Sequence, residues 1–422
     1  MISHLQKRDL KHLWHPITQH QLIDKHLVIK KAKDVFLYDE NDRPYIDGFS
    51  SWYTCCYGHC NEIIIQKAYE SLQQFSHIPF VGLTHQPAIE LSESLISILP
   101  ENQQKIFFSE NGSTAVDLAI KMALQYFHNQ NRKRTKIIAF ENAFHGDTFG
   151  AMSVSDSPIY HQAFKDFFIE VIHVPTPNES NFPQIREQFY KLVSSQEVAC
   201  FIYEPLVQGA NCMKMYASCF LDELIQMAQK YQVLCIADEV MTGFGKTGKK
   251  FASDYLKTNP DIICLAKSLT GGITPMALTT CSEEVFNAFL SNDITKGLMH
   301  AHTYSANPLG CSVAKACIDL LISDEMQRNI SRISYQNQLF AQEIKNHPKV
   351  KNIRSLGVIL AFEFDIKMEL YGKKRDKLYH FFMEQGIFLR PLGNTIYILP
   401  PFIIHNEELN HIYNAIRLLL SE

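Results

Sequence analysis

Between about residues 60 and 300 the chain repeats one pattern: a short, almost wholly apolar run, then a longer segment with helical periodicity. Strands without polar alternation must be covered on both faces, and interleaved helices are what cover them. The candidate strands are Ile106–Phe108, Lys136–Phe140, Cys200–Tyr203, Val233–Ala237, Ile262–Leu265 and Met276–Cys281. Ala115–Phe127 and Phe220–Tyr231 read as helices, the second with Leu221, Leu224, Ile225 and Ala228 along one face. The expectation is an α/β fold whose mostly parallel sheet carries helices on both faces. In such sheets ligands bind beyond the carboxyl ends of the strands.

The ends of the chain read differently. Residues 1–55 form an irregular arm and then a hairpin, Val35–Tyr38 and Pro44–Ile46 flanking a turn-rich Asp39–Arg43. Residues 56–305 make the large domain. Residues 306–422 make a smaller α+β domain: a helix from Asn307 through Leu321, strands around Val358–Phe364 and Thr395–Leu399, and a last helix from Glu407 to Leu420. The hairpin is expected to pack with this smaller domain. A length of 422 residues accommodates both.

Composition excludes several classes of function. A formal charge of −4 with no long basic run argues against a nucleic-acid or anionic-membrane surface. No apolar run approaches the roughly 18 residues of a spanning helix, and the first residues lack a signal peptide's apolar core. A cytoplasmic protein is expected, its eleven cysteines reduced. Cys55, Cys56, His59 and Cys60 cluster without a second ligand pair, and the spacing of His4, His12, His15, His20 and His26 matches no metal-binding helix. No metal site is expected, and the histidine-rich start reads as a polar surface arm.

Four strand ends carry chemistry. Lys267 follows the strand Ile262–Leu265 and precedes small residues and Gly271–Gly272, which let a ligand approach the backbone. Asp238 ends the preceding strand. A lysine and an aspartate at neighbouring strand ends suit pyridoxal phosphate: the amine forms a Schiff base with the aldehyde, and the carboxylate keeps the pyridine nitrogen protonated. By itself Lys267 reads as a solvated lysine past a strand end, and only the residues around it favour the cofactor. Gly112 and Ser113 open a helix after a strand, which is either an ordinary cap or an anion site. Phe144 and His145 follow the strand Lys136–Phe140, where an aromatic ring could stack on a flat heterocycle. Gly243–Lys250 approaches a P-loop, but Lys250 stands where a magnesium-ligating Ser or Thr belongs.

The segment Asp238-Glu-Val-Met-Thr-Gly-Phe-Gly-Lys-Thr-Gly248, with Lys267-Ser-Leu-Thr-Gly-Gly272 at matching distance, resembles the signature of class III pyridoxal-phosphate aminotransferases. The resemblance covers essentially the whole chain and implies pyridoxal-phosphate transferase fold type I. It is narrower towards members that act in biotin synthesis, through Trp14-His-Pro16, Asp47-Gly-Phe-Ser-Ser-Trp52, Phe144 to Ser153, Thr303, Asn307-Pro-Leu-Gly310, Leu389-Arg-Pro391 and Tyr397 to Pro401.

The resemblance implies that Lys267 and Asp238 are catalytic. Gly112 and Ser113 would bind the cofactor phosphate together with Thr303 of the partner subunit and the backbone of His302 of the partner subunit. Phe144, with His145 beside it, would stack on the ring. Trp52 and Tyr53 would wall the substrate channel, Arg390 would take a substrate carboxylate, and Ile17 and Ala301 would border the substrate. A homodimer with active sites at its interface follows, as does a ping-pong transamination of 7-keto-8-aminopelargonate with S-adenosylmethionine as donor.

Three positions depart from the family pattern. Ile17 and Phe144 stand where tyrosines are common, and Tyr53 replaces the second residue of a tryptophan pair. Those changes bear on hydrogen bonds to the donor, so lysine stays open as an alternative donor. Acetylornithine, 4-aminobutyrate or a polyamine stay open as alternative substrates of the class, and a nucleotide-binding regulator is the remaining different reading.

Overall fold

A computed structural model describes residues 2–421. Its centre is a seven-stranded sheet. Across the sheet the strands run Gln103–Ser109, Ala277–Ser282, Ile262–Leu265, Leu234–Asp238, Val198–Tyr203, Lys136–Phe140 and Val171–Val174. Neighbours pair in parallel except at Ala277–Ser282, which is antiparallel to both flanking strands. The inner strands are buried along their whole length, as their unbroken apolar runs require once helices cover both faces.

The helix Gly112–Asn129 packs on one face, with ten residues buried. Asn111 caps it: the Asn111 side chain accepts from the Thr114 N–H at 3.1 Å, and the Thr114 hydroxyl lies 3.4 Å from the Asn111 N–H. The helices Phe182–Ser194 and Ser218–Lys230 cover the other face, where Leu221, Leu224, Ile225 and Ala228 are all buried. Every candidate strand of this sheet is present: Lys136–Phe140 and Ile262–Leu265 keep their expected bounds, Val233–Ala237 and Met276–Cys281 move one residue along the chain, and the other two are longer by one to three residues at an end. Val171–Val174 had no counterpart in the sequence reading, because a histidine and an edge position break its apolar run.

The hairpin strands Phe36–Asp39 and Pro44–Asp47 join Ile387–Phe388, which pairs in parallel with the second of them. The start of the chain is therefore built into the same sheet as a segment near its end. The expected irregular arm contains a helix, His4–His12, closed by a capping box between Ser3 and Gln6. A three-stranded antiparallel sheet, Val350–Leu356, Ile359–Phe364 and Thr395–Ile398, lies against helices Asp324–Ile344 and Asn406–Ser421. The 21-residue helix Asp324–Ile344 escaped the sequence reading.

The P-loop-like segment proves to be a buried connection. Lys246 is fully buried and donates to the Gly243 carbonyl at 2.7 Å, while its own carbonyl accepts from the Val358 N–H at 3.0 Å. A Cβ on Gly357 would stand 2.1 Å from the Gly248 nitrogen, so the two backbones meet directly. With its lysine enclosed and no α-helix following, this segment offers no cradle to a triphosphate, which removes the nucleotide-binding reading.

No helix among the described residues is long and apolar enough to cross a membrane. The cysteines among them, Cys55, Cys56 and Cys60 included, are free thiols.

Candidate active site

The carboxyl ends of five strands deliver the chemistry. Asp238 closes Leu234–Asp238 and is buried. One carboxylate oxygen lies 2.7 Å from Nδ1 of the buried His145, and the other accepts from the Val240 N–H at 3.0 Å. His145 is fixed in turn by its own N–H, which donates to the Ser155 hydroxyl at 2.8 Å. Two independent holds therefore fix the carboxylate's orientation. His145, expected among cofactor-binding residues, meets Asp238, which leaves Phe144 as the half-buried aromatic beside the cleft.

Lys267 starts a short 3-10 turn immediately after Ile262–Leu265, at a φ of 54°. Its Nζ lies 5.1 Å from the centre of the Tyr53 ring. Burial lowers its pKa, while Asp238 and Glu204 act in the opposite direction. An amine shifted this way has its neutral, nucleophilic form within closer reach of neutral pH.

Glu204 was missed in the sequence reading, although it has the same signal as Asp238, an acid closing an apolar strand. It is buried and accepts from the N–H groups of Phe144 at 3.1 Å and Gly209 at 2.9 Å. Burial pushes its pKa up to about 7, with His145 opposing and Asp238 adding to the shift. Its place is to hold the Phe144 backbone.

At the start of helix Gly112–Asn129, the Ser113 hydroxyl accepts from the N–H groups of Asp147 at 2.5 Å and Thr148 at 3.2 Å. A Cβ on Gly146 would fall 1.9 Å from that hydroxyl, and one on Gly112 would fall 2.7 Å from Val240. Close backbone approach at a helix N-terminus suits an anionic group. A fixed acid, a half-buried lysine, a flat aromatic and this N-terminus are the features a pyridoxal phosphate needs, and the residues present fit it.

The other side of the cleft is built on strained backbone. Ser50, Ser51, Trp52 and Tyr53 have φ values of 53°, 44°, 63° and 69°, making one left-handed turn. Its N–H groups bond as in a helix, Tyr53 to the Phe49 carbonyl at 3.0 Å and Thr54 to the Ser50 carbonyl at 2.8 Å. Left-handed geometry costs about 1–2 kcal/mol per residue with a Cβ, so neighbouring groups must hold it. Ser50 donates to the Leu399 carbonyl at 2.7 Å, and Ser51 to the fully buried Asp47 at 2.7 Å.

Asp47 also meets His59 Nε2 at 2.8 Å. Burial alone would lower the His59 pKa, but Asp47 and then Cys55 outweigh it and push it up to about 10. His59 is thereby accounted for as a clamp on this turn.

The turn presents Trp52 and Tyr53. The Arg390 guanidinium lies 4.8 Å from the centre of the Trp52 ring and, among the described residues, has no carboxylate partner. Tyr53 donates to the Tyr397 hydroxyl at 3.0 Å, and the Tyr160 and Tyr371 hydroxyls lie 2.8 Å apart. Tyr160 also packs against Phe144, with ring centres 5.7 Å apart. Tyr160 and Tyr397 were not foreseen, because nothing local distinguishes them from core tyrosines.

Ile17, Ala301 and Thr303 lie exposed on the chain, apart from the buried group around Asp238. His302 Nε2 stands 2.9 Å from Glu110, two residues before Gly112.

The sequence profile described as Aminotransferase class-III matches residues 18–420. Adenosylmethionine-8-amino-7-oxononanoate aminotransferase of Synechococcus elongatus is 37% identical to the chain over 420 residues, covering 97% of this chain and 99% of that protein. The protein of the same name from Staphylococcus aureus is 35% identical over 426 residues, covering 96% and 94%. The crystal structure of adenosylmethionine-8-amino-7-oxononanoate aminotransferase from Methanocaldococcus jannaschii superposes with a TM-score of 0.91 at 32% identity, covering 98% of each chain. An ω-transaminase from Pseudomonas jessenii, solved with PMP, shares the fold at a TM-score of 0.92 and 24% identity. Site geometry, fold and full-length similarity agree: the chain belongs to the class-III aminotransferases, pyridoxal-phosphate enzymes of fold type I.

Proposed function

We propose that this chain transfers an amino group from S-adenosylmethionine to 8-amino-7-oxononanoate (7-keto-8-aminopelargonate), forming 7,8-diaminopelargonate for biotin synthesis. The observation that carries this reading is the pairing of Arg390 with Trp52 at the mouth of the cleft. A guanidinium without a protein carboxylate suits the far carboxylate of a long keto acid, and an indole beside it suits the acid's apolar chain. The names of the full-length relatives support the same substrate.

Bound pyridoxal 5'-phosphate supplies an aldehyde that accepts the amino group and a ring that draws electrons from the reacting carbon. Asp238, held by His145, keeps a proton on the ring nitrogen. Lys267 Nζ, its proton affinity lowered by burial, would move the proton from the amine-bearing carbon of the donor to the cofactor's aldehyde carbon, and in the second half-reaction from there to the former keto carbon of the acceptor. Gly112 and Ser113 at the helix N-terminus would hold the phosphate end, with the Ser113 hydroxyl steadied by the Asp147 and Thr148 amides, and Phe144 would cover the ring. Arg390 fixes the keto acid by its carboxylate while Trp52 and Tyr53 keep water from its chain.

We also assign the site to the interface of a homodimer, with Ile17, Ala301 and Thr303 the exposed residues that a second copy would cover. Two lobes form each subunit, residues 56–305 and residues 1–55 with 306–422.

The test supplies purified protein with 8-amino-7-oxononanoate and either S-adenosylmethionine or lysine. Diaminopelargonate is expected with S-adenosylmethionine. Product with lysine alone would reassign the donor. Turnover only of acetylornithine, 4-aminobutyrate or a polyamine would overturn the substrate.

A further inference from the structure

The histidine-rich start of the chain, which spacing alone marked as a plain polar arm, folds back on itself. Asp9 lies on the helix His4–His12, His15 in the segment after it, and His26 beyond the turn His20–Leu22. One ligand atom from each, two imidazole nitrogens and a carboxylate oxygen, lies within 4.8 Å of the others. His15 Nε2 is already 2.9 Å from Asp9 Oδ1.

The other two donor atoms at this point have nothing to bond. Asp9 Oδ2 and His26 Nε2 are shielded from solvent, and neither has a hydrogen-bond partner among the described residues. An unsatisfied buried polar atom costs about 1–3 kcal/mol, so both call for a partner, and their residues belong to one cluster of ligand atoms. Both are electron-pair donors when the imidazole is neutral with its proton on Nδ1, and the partner they then suit is a cation.

The surroundings hold the donors in place. Gln6, the residue that closes the helix cap, donates to the His26 carbonyl at 2.8 Å. The His15 N–H donates to His20 Nε2 at 3.0 Å, so His20 steadies the loop and its Nε2 is engaged outside the ligand set. The His15 and His26 rings lie 3.8 Å apart at their centres. The arm lacks an apolar anchor of its own, with Trp14 91% and Leu22 79% exposed. Short segments without a core are where a bound ion adds most to order.

We propose that Asp9, His15 and His26 form a divalent transition-metal site, suited by its two imidazoles and one carboxylate to Zn2+, that closes the N-terminal arm into a loop. Water completes the coordination. Binding replaces the hydrogen bond between His15 Nε2 and Asp9 Oδ1, with the imidazole proton carried on Nδ1. The proposal shares no ligand residue with the Lys267 and Asp238 site, and it stands whether or not the proposed substrate is correct.

The experiment uses the full-length holoenzyme, stripped of metal by a chelator and titrated with Co2+ and then Zn2+. One Co2+ per chain is expected, with the visible absorption of a four-coordinate nitrogen–oxygen site, and Zn2+ should displace it. Asp9→Asn, which preserves shape, and His26→Ala should each weaken binding at least about tenfold, while His4→Ala and His12→Ala leave it unchanged. Zn2+ should also slow proteolysis within residues 1–28 of the parent protein and leave His26→Ala as labile as before. Absence of saturable binding overturns the proposal, as does binding that survives both Asp9→Asn and His26→Ala.

Discussion

The two walls of the active-site cleft are built in opposite ways. The wall holding Lys267, Asp238, His145 and Ser113 consists of strand ends and one helix start, regular elements whose backbone is fixed by the central sheet. The facing wall consists of the left-handed turn Ser50–Tyr53, the Arg390 segment and tyrosines from distant parts of the chain. Regular elements suit groups whose geometry the chemistry dictates, and loops suit groups that select among substrates. The difference implies that changes on the two walls fail differently: one in reaction, the other in recognition.

The largest expected effect is on the first wall. Lys267→Ala should lower turnover by about 10⁴-fold or more and remove the cofactor absorbance that borohydride traps. Retention of both would show that the sheet wall does not carry the reaction. On the second wall, Arg390→Leu should raise KM for 8-amino-7-oxononanoate about 10- to 100-fold, the worth of a charge-assisted hydrogen-bond pair. Cofactor absorbance and the KM of the donor should hold. If Arg390→Leu instead releases the cofactor, the division between the walls is broken.

The smallest effect concerns the clamp behind the turn. The His59 pKa, up from an ordinary 6.5 to about 10, makes its pairing with Asp47 fully stabilising below pH 6.5 and loses that contribution as pH rises through about 10. His59→Gln should cost about 1–3 kcal/mol at neutral pH, with a stability gap to the parent that narrows in denaturant titrations run from pH 7 to pH 10.5. It should also raise KM for the keto acid several-fold while sparing the cofactor. A gap independent of pH would show that the pair does not hold the turn.

The same division explains what could be read from the sequence. Asp238 and Lys267 were legible because each ends an apolar run, where a charge is conspicuous, and Gly112–Ser113 because a glycine marks a close approach. Glu204 had the same signal and was passed over, since the Pro205 after it reads as an ordinary end of strand. The left-handed turn had no local signal. Its residues are two serines, a tryptophan and a tyrosine, none of which favours positive φ, and what holds them comes from Asp47 and Leu399. Tyr160 and Tyr397 reach the cleft only by tertiary packing. Helix Asp324–Ile344 went unread because its polar length hides a single buried stripe, Met326, Ile330, Ile333, Asn337, Phe340 and Ile344.

The contact between Gly248 and Gly357 bears on how substrates come and go. Main chain rests on main chain there, and the Lys246 carbonyl is bonded across to Val358 beside it. Side chains can repack when two bodies slide, but abutting backbones have no such slack. That point is a rigid joint between the loop after Asp238 and the turn that links Val350–Leu356 to Ile359–Phe364, so substrate entry is expected to depend on movement elsewhere along the rim.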